Sequence, residues 1–314
     1  MRLVNAFRYQ RAGLGRVLRQ IAPDVFHAHY VVEHGFYGAF AATHPFVVTA
    51  WGSDLLRESY TPLGKLIARW TLGRADVVTG NDPSLLRRAQ ALGVPAERTA
   101  LVRVGIDRLF LDAHSVNLEP EDAGPPTIIS DRALELLYNV ETVIRAFGLV
   151  HARLPAARLI VAGDGSQRLT LERLARDLRL GEAVRFLGRL EPRELREALT
   201  SAHVYVSVPS TDSMAVSNLE AMAVGAFPVL SDLPSLNGWI TNGVNGLLVP
   251  PAPSPAQLAD ALFAALADAS RRKAAVAPNR ARVEAEGTNE RNMLLLERLY
   301  YRLAGHPLSD AGSI

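Results

Sequence analysis

The sequence contains no cysteine. Disulfides, thiolate metal sites, iron–sulfur clusters and a cysteine nucleophile are therefore excluded, and any chemistry falls to oxygen and nitrogen groups. It also lacks an apolar run approaching the ~18–20 residues of a membrane span. Arg2, Arg8 and Arg11 are not followed by the apolar core of a signal peptide, so a cytoplasmic protein is expected. Charge of one sign is scarce, with 34 basic against 32 acidic residues, and no run interleaves Lys or Arg with aromatics. That balance argues against a nucleic-acid partner. Of the 314 residues, 48% are hydrophobic and 21% charged, which supplies a substantial core and excludes extensive disorder. At about 100–200 residues per domain, the length fits two domains.

The small net charge is unevenly placed. Residues 1–120 hold 14 basic and 10 acidic side chains, and Arg2, Arg8, Arg11, Arg16 and Arg19 all precede the first acid, Asp24. Leu14, Val17, Leu18 and Ile21 recur there at helical spacing. A basic amphipathic lead of this kind suits peripheral contact with an anionic inner membrane face. The alternative is the solvated face of an ordinary helix.

Short β-branched runs alternate with helical patterns along most of the chain. DVFHAH (24–29), FVVTA (46–50), DVVTG (76–80), TALVRV (99–104), PTIIS (126–130), ARLIVAG (157–163), AVRFLG (183–188), HVYVSV (203–208) and FPVLS (227–231) read as strands buried on both faces. Between them, PSLLRRAQALG carries Pro83 near its start and Gly93 at its end, and NVETVIRAFGLVHARL aligns Val140, Val143, Ile144, Phe147 and Val150 on one stripe. Strict alternation implies α/β architecture with parallel sheets and crossover helices. It is interrupted between Leu111 and Pro126 by a polar stretch rich in Pro, Gly and acids, which reads as an interdomain linker. The expected domains are residues 1–122, residues 123–285 with six strands, and a C-terminal helix and tail over 286–314 that crosses back to the first domain.

In open parallel sheets, ligands bind beyond the carboxyl ends of the strands. The segment SVPSTDSMAVSNLEAMAVGAFPVLSD (207–232) places Asp212 in a loop after a strand and opens a helix near Ser217. The amides of Val216, Ser217 and Asn218 would then meet a phosphate at the positive end of the helix dipole. An equally good local reading makes Ser217 and Glu220 a capping box, with Glu220 merely returning to the Ser217 amide.

Asp212 and Glu220 bracket seven residues and are followed by AMAVGAFPVLSD and NGVNGLLVPP (242–251). This pattern resembles the signature of the retaining glycosyltransferases of family 4. The resemblance extends through PDVFHAHY (23–30), FVVTAWGSD (46–54), residues 74–110, YNVETVIRAF (138–147) and LIVAGDGSQRLTLERLA (159–175). It implies a GT-B fold of two Rossmann-like domains. The implied activity is transfer of a sugar from a nucleoside diphosphate sugar to a hydroxyl with retention at the anomeric carbon, with no metal and no cofactor. The acceptor class is open: a glycan, a lipid-linked molecule or a small molecule.

Carried across residue by residue, Glu220 matches the contact to the donor ribose and Asp212 the contact to the transferred sugar, where glutamate is usual. Arg132 matches the arginine that grips the diphosphate with a bidentate fork. Its usual lysine companion six residues on is here Tyr138. Gly163, Asp164 and Gly165 would lie beside the nucleotide, a plain turn being the local alternative. Gly188 and Arg189 match the segment around the base. In the first domain, strand alternation puts His27 and His29 on one face. The resemblance places His29 by the reacting sugar, while a structural pair is the reading from the strand alone. Trp51, Gly52, Ser53 and Asp54 complete the acceptor side, with Asp54 either an acceptor contact or a helix cap.

Relative to that family, the first domain reads as abbreviated, because a leading strand and glycine-rich loop are not evident before PDVFHAHY. A nucleotide-binding protein without independent activity, or one that needs a partner or self-association, is the second hypothesis, and a sugar-nucleotide epimerase the third.

Overall fold

The computed structural model describes residues 13–41, 44–112 and 124–307. Arg2, Arg8 and Arg11 of the basic lead, and most of the linker, lie outside them. A helical segment over 13–21 (α1) leads into β1 (Phe26–His29), α2 (His34–Ala41), β2 (Phe46–Ala50), α3 (Ser53–Leu56), α4 (Pro62–Arg74), β3 (Val77–Gly80), α5 (Pro83–Ala91) and β4 (Thr99–Leu101). There follow α6 (Arg108–Leu111), β5 (Thr127–Ser130), α7 (Val140–Arg153), β6 (Arg158–Ala162), α8 (Arg168–Asp177), β7 (Val184–Gly188), α9 (Pro192–Thr200), β8 (Val204–Ser207) and α10 (Val216–Val224). The chain ends through β9 (Phe227–Ser231), β10 (Leu247–Val249), α11 (Pro255–Ala267), α12 (Ala269–Glu286) and α13 (Asn289–Ala304).

The chain forms two compact units. The first comprises residues up to Val104 together with Asp212–Met214 and Glu290 onward, and the second comprises Gly105–Thr211 and Ala215–Asn289. This draws the division earlier than residue 122. The cause is local pairing: Ile106 N–H donates to Gly287 O at 2.7 Å and Asn289 N–H to Ile106 O at 3.0 Å, which ties the segment after β4 to the end of α12.

Each unit carries one fully parallel sheet. The first runs β1-β2-β3-β4, and the second runs β10-β9-β8-β5-β6-β7. Helices on both faces explain why strands such as β2 (FVVTA) and β9 (FPVLS) are buried along their whole length, without polar alternation. The first core gathers Val31, Phe46, Val48, Leu55, Leu72, Val78 and Leu85. In the second, the α7 stripe of Val140, Val143, Ile144, Phe147 and Val150 lies against Ile128, Leu159, Val161 and Val204. Each such side chain contributes about 1.5–3 kcal/mol when fully buried. Local signals set the helix starts: Asp82 Oδ1 accepts from Ser84 N–H at 2.7 Å, ahead of Pro83 at the first position of α5. No helix among the described residues is long and apolar enough to cross a membrane.

Candidate functional site

In the second sheet the strand order reverses between β5 and β8, because β6 lies on one side of β5 and β8 on the other. That reversal opens a crevice beyond the carboxyl ends of the two strands, the place where parallel sheets hold ligands. β5 delivers Asp131 and Arg132 there, and the chain after β8 delivers the N-terminus of α10.

A continuous hydrogen-bonded chain fills this corner. Arg132 Nη1 donates to Ser217 Oγ at 2.9 Å, Ser217 Oγ is 2.9 Å from the Tyr205 hydroxyl, and that hydroxyl is 3.0 Å from Asp131 Oδ1. Asn218 Oδ1 lies 3.3 Å from the same hydroxyl. The guanidinium of Arg132 rests 4.4 Å from the centre of the Tyr138 ring, and the arginine is only 8% exposed. Tyr138 thus supports Arg132 through its ring face, where a lysine would have added charge. Burial raises the pKa of Asp131, with the Arg132 charge and the hydroxyl bonds opposing, and burial also pushes the Tyr205 phenol well above its ordinary value. Glu220 is half-buried on the second turn of α10, and burial plus the neighbouring Asp131 carboxylate lift it to about 8. At neutral pH Glu220 therefore holds a proton and can both donate and accept.

Two expectations about α10 are corrected. Its N-cap is Ala215, with no side-chain cap, so Ser217 lies inside the helix and the capping box with Glu220 does not form. Of the three first-turn amides, that of Asn218 already donates to Ala215 O at 3.2 Å, which leaves those of Val216 and Ser217 as the outward donors. The loop after β6 packs on the loop after β5: Leu134 N–H donates to Asp164 O at 2.9 Å, and a Cβ on Gly163 would lie 2.4 Å from Arg132 O. Gly163 therefore has a packing reason to be glycine. Gly165 N–H donates to the Asp164 carboxylate at 2.8 Å. Gly188 ends β7, and Arg189 beyond it is exposed.

The remaining residues lie in the first unit. The two imidazoles of β1 lie 4.3 Å apart between ring centres, tilted by 31°. His27 is turned into the fold, which corrects its assignment to the acceptor side: Nδ1 bonds the Tyr300 hydroxyl and Nε2 lies 2.6 Å from Thr49 Oγ1. Burial lowers its pKa to about 4, so it is neutral. His29 is exposed at the carboxyl end of β1, and its Nδ1 accepts from the Trp51 indole N–H at 3.2 Å. The neutral ring then carries its proton on Nε2. Burial, followed by the charge of His34, lowers the His29 pKa.

Asp54 is corrected from acceptor contact to internal brace. It is fully buried, and its carboxylate accepts from the amides of Val31 (2.9 Å), Gly52 (2.9 Å), Leu55 (3.0 Å) and Trp51 (3.2 Å). The brace holds the turn after β1 against the turn after β2. Ser53 Oγ meets the Tyr30 hydroxyl at 2.8 Å, and Tyr30 itself has a left-handed φ of 73° directly after His29. Gly52 has a φ of 140°, a conformation open essentially to glycine, and it faces Ser213. Ser213 Oγ donates to Trp51 O at 2.8 Å and Asn81 donates to Ser213 Oγ at 3.2 Å, so the loop carrying Asp212 is anchored on Trp51 and Asn81.

Asp131 and Tyr205 escaped the reading of the sequence. Asp131 directly precedes Arg132 at a strand end, a signal that was available. Tyr205 in VYVS looks like any core aromatic. Among the described residues, no group of three or more His, Asp or Glu is placed to hold a metal ion.

Comparison with known proteins agrees with this architecture. The profile of "Glycosyl transferases group 1" matches residues 116–282, and that of "Glycosyl transferase 4-like domain" matches residues 2–105. The chain is 24% identical over 234 residues to the N-acetyl-alpha-D-glucosaminyl L-malate synthase of Bacillus anthracis, covering 72% of this chain and 61% of the relative. It is 31% identical over 189 residues to a GDP-mannose-dependent monoacylated alpha-(1-6)-phosphatidylinositol monomannoside mannosyltransferase of Corynebacterium glutamicum, covering 58% and 48%. The chain thus spans between about half and three fifths of the length of these curated relatives. In fold it is similar to Anabaena HepE, solved in complex with UDP-glucose, with a TM-score of 0.77, 19% identity and coverage of 92% of this chain and 82% of that one. With two parallel α/β units and a profile that covers more than half of its residues, the chain belongs to the Glycosyl transferases group 1 family.

Proposed function

We propose that the protein transfers a sugar from a nucleoside diphosphate sugar to a hydroxyl acceptor, with retention of anomeric configuration and without a metal or cofactor. The observation that carries this reading is the corner at β5 and β8: a braced arginine beside the N-terminus of α10, with a protonated carboxyl one turn further on. Arg132 and the Val216 and Ser217 amides would take the diphosphate oxygens, offsetting the charge that grows as the bond from the anomeric carbon to the phosphate oxygen breaks. Glu220 would hold the ribose hydroxyls, and the segments around Gly163–Gly165 and Gly188–Arg189 would flank the nucleotide. The acceptor oxygen forms its new bond on the face the diphosphate leaves, and its proton passes to the departing phosphate oxygen. His29 would act on the acceptor side as an Nε2 donor beside Trp51, and Asp212 would contact the transferred sugar.

HepE is solved with UDP-glucose, and the Corynebacterium relative is GDP-mannose-dependent, so the two lines of similarity point to different bases. The test is calorimetric titration of the protein with UDP, GDP and ADP, with EDTA present, beside Arg132→Ala. Binding of one nucleoside diphosphate that weakens by about 1.5–3 kcal/mol in the variant supports the reading. Absence of binding to all three at millimolar concentration defeats it. The anomeric configuration of the product, read by NMR, tests retention.

A further inference from the structure

Helix α4 presents an exposed apolar face that no described residue covers. Its sequence, PLGKLIARWTLGR, contains three basic residues and no acid. Ala68, Thr71 and Leu72 are buried against the first unit, whereas Leu63 and Leu66, neighbours at i and i+3 on the opposite side, are 68% and 66% exposed. Tyr60, just before the helix, is 65% exposed. Lys65 and Arg69 lie along one flank of the two leucines and Arg74 along the other, with Arg74 set 4.4 Å from the centre of the Trp70 ring and Arg88 4.1 Å from that of Tyr60. Solvent-exposed leucines bordered on both sides by cations, with no anion in the helix, complement a surface that is apolar inside and negative outside.

We propose that α4, with Tyr60, is a docking face for an anionic lipid bilayer, with Leu63 and Leu66 entering the headgroup boundary and Lys65, Arg69 and Arg74 lying among the lipid phosphates. Long basic side chains suit that position, because their stems stay with the apolar phase while their heads reach the phosphates. The inference stands apart from the transfer chemistry, since α4 holds none of the residues assigned to donor or acceptor. It also differs from contact through the basic leading segment, where Val17 and Ile21 are exposed beside Arg16 and Arg19.

The experiment is co-sedimentation of the whole chain with vesicles of phosphatidylcholine alone or with about 30 mol% phosphatidylglycerol, at low and high salt. The expected result is binding to the anionic vesicles that salt weakens and that L63S/L66S and K65E/R69E each reduce by roughly tenfold or more, with melting temperature and nucleotide affinity unchanged. The proposal is overturned if anionic vesicles do not sediment the protein. It is equally overturned if both α4 variants bind as the parent does while R16E/R19E loses binding, which assigns the contact to α1. A concentration-dependent dimer in sedimentation velocity that L63S/L66S abolishes, without vesicle binding, would make the face a self-association surface instead.

Discussion

Replacing Tyr205 by Phe removes one oxygen and leaves the packing of a fully buried ring intact. That oxygen sits 3.0 Å from Asp131 Oδ1, 2.9 Å from Ser217 Oγ and 3.3 Å from Asn218 Oδ1. Arg132 donates to Ser217 Oγ, and the Tyr205 hydroxyl has Asp131 Oδ1, Ser217 Oγ and Asn218 Oδ1 as acceptors within reach. The guanidinium and the carboxylate are thus linked through two oxygens, those of Ser217 and Tyr205. Without the Tyr205 hydroxyl, a buried carboxylate loses a charge-assisted bond, at a cost of about 1.5–3 kcal/mol. At about 2–4 °C per kcal/mol for domains of this size, the melting temperature should fall by roughly 3–12 °C. A second effect separates positioning from stability: Ser217 is released to rotate, Arg132 loses its fixed direction, and nucleoside diphosphate affinity should fall by roughly tenfold, about 1.4 kcal/mol. Differential scanning fluorimetry gives the first quantity, and titration well below the lowered midpoint gives the second. Unchanged affinity alongside the lower midpoint would show that the hydroxyl chain is only structural and that Arg132 is directed by other contacts.

Glu220, at about 8 in the folded protein against 4.5 for an ordinary glutamate, binds its proton more tightly folded than unfolded. Its contribution to stability is therefore full below about pH 4.5 and is lost as pH rises through about 8, so Glu220→Gln should raise the melting temperature at pH 9 but not at pH 4.5. Nucleotide affinity of the parent should also fall above pH 8, where a second carboxylate appears beside Asp131, and Glu220→Gln should flatten that profile; an unaltered profile in the variant refutes the assignment. Asp54→Ala leaves four backbone amides without their buried acceptor and should destabilise by roughly 3–5 kcal/mol. If the carboxylate is only a brace, nucleotide affinity stays at the parent value in material that remains folded. Gly163→Ala forces a Cβ to within 2.4 Å of Arg132 O, so the loop after β5 must move. A fall of tenfold or more in nucleotide affinity is expected by titration, and an unaffected affinity would show that Arg132 can shift without loss.

Features that repeat along the chain were readable from it. Runs such as FVVTA and VYVS are short, β-branched and apolar on both sides, a pattern that a parallel sheet covered by helices produces directly, and the α7 stripe follows from the helical period alone. The donor corner was legible at Arg132, the start of α10 and Glu220, because strand ends and helix starts are local signals. Where two loops or two strands meet, local signals fail. Asp54 precedes Leu55 and Leu56 as any N-terminal helix residue would, and its role as a brace depends on Val31, which reaches it from a different strand end. His27 and His29 look equivalent in FHAH, yet Thr49 from β2 and Tyr300 from α13 engage both nitrogens of the first, and Trp51 engages one of the second. The same reasoning explains the missed hydroxyl chain. Tyr205 is a core residue by every local measure, and only the pairing of β5 beside β8 carries its ring edge to Asp131. At position 138 the ring of Tyr138 lies 4.4 Å from the Arg132 guanidinium, so the residue there meets the arginine by its face. The aromatic ring packs on the guanidinium, and Ser217 and Tyr205 join it to the acid through hydrogen bonds. Tyr138 and Ser217 thus both fix the direction of the buried guanidinium, which holds its fork ready for an anion.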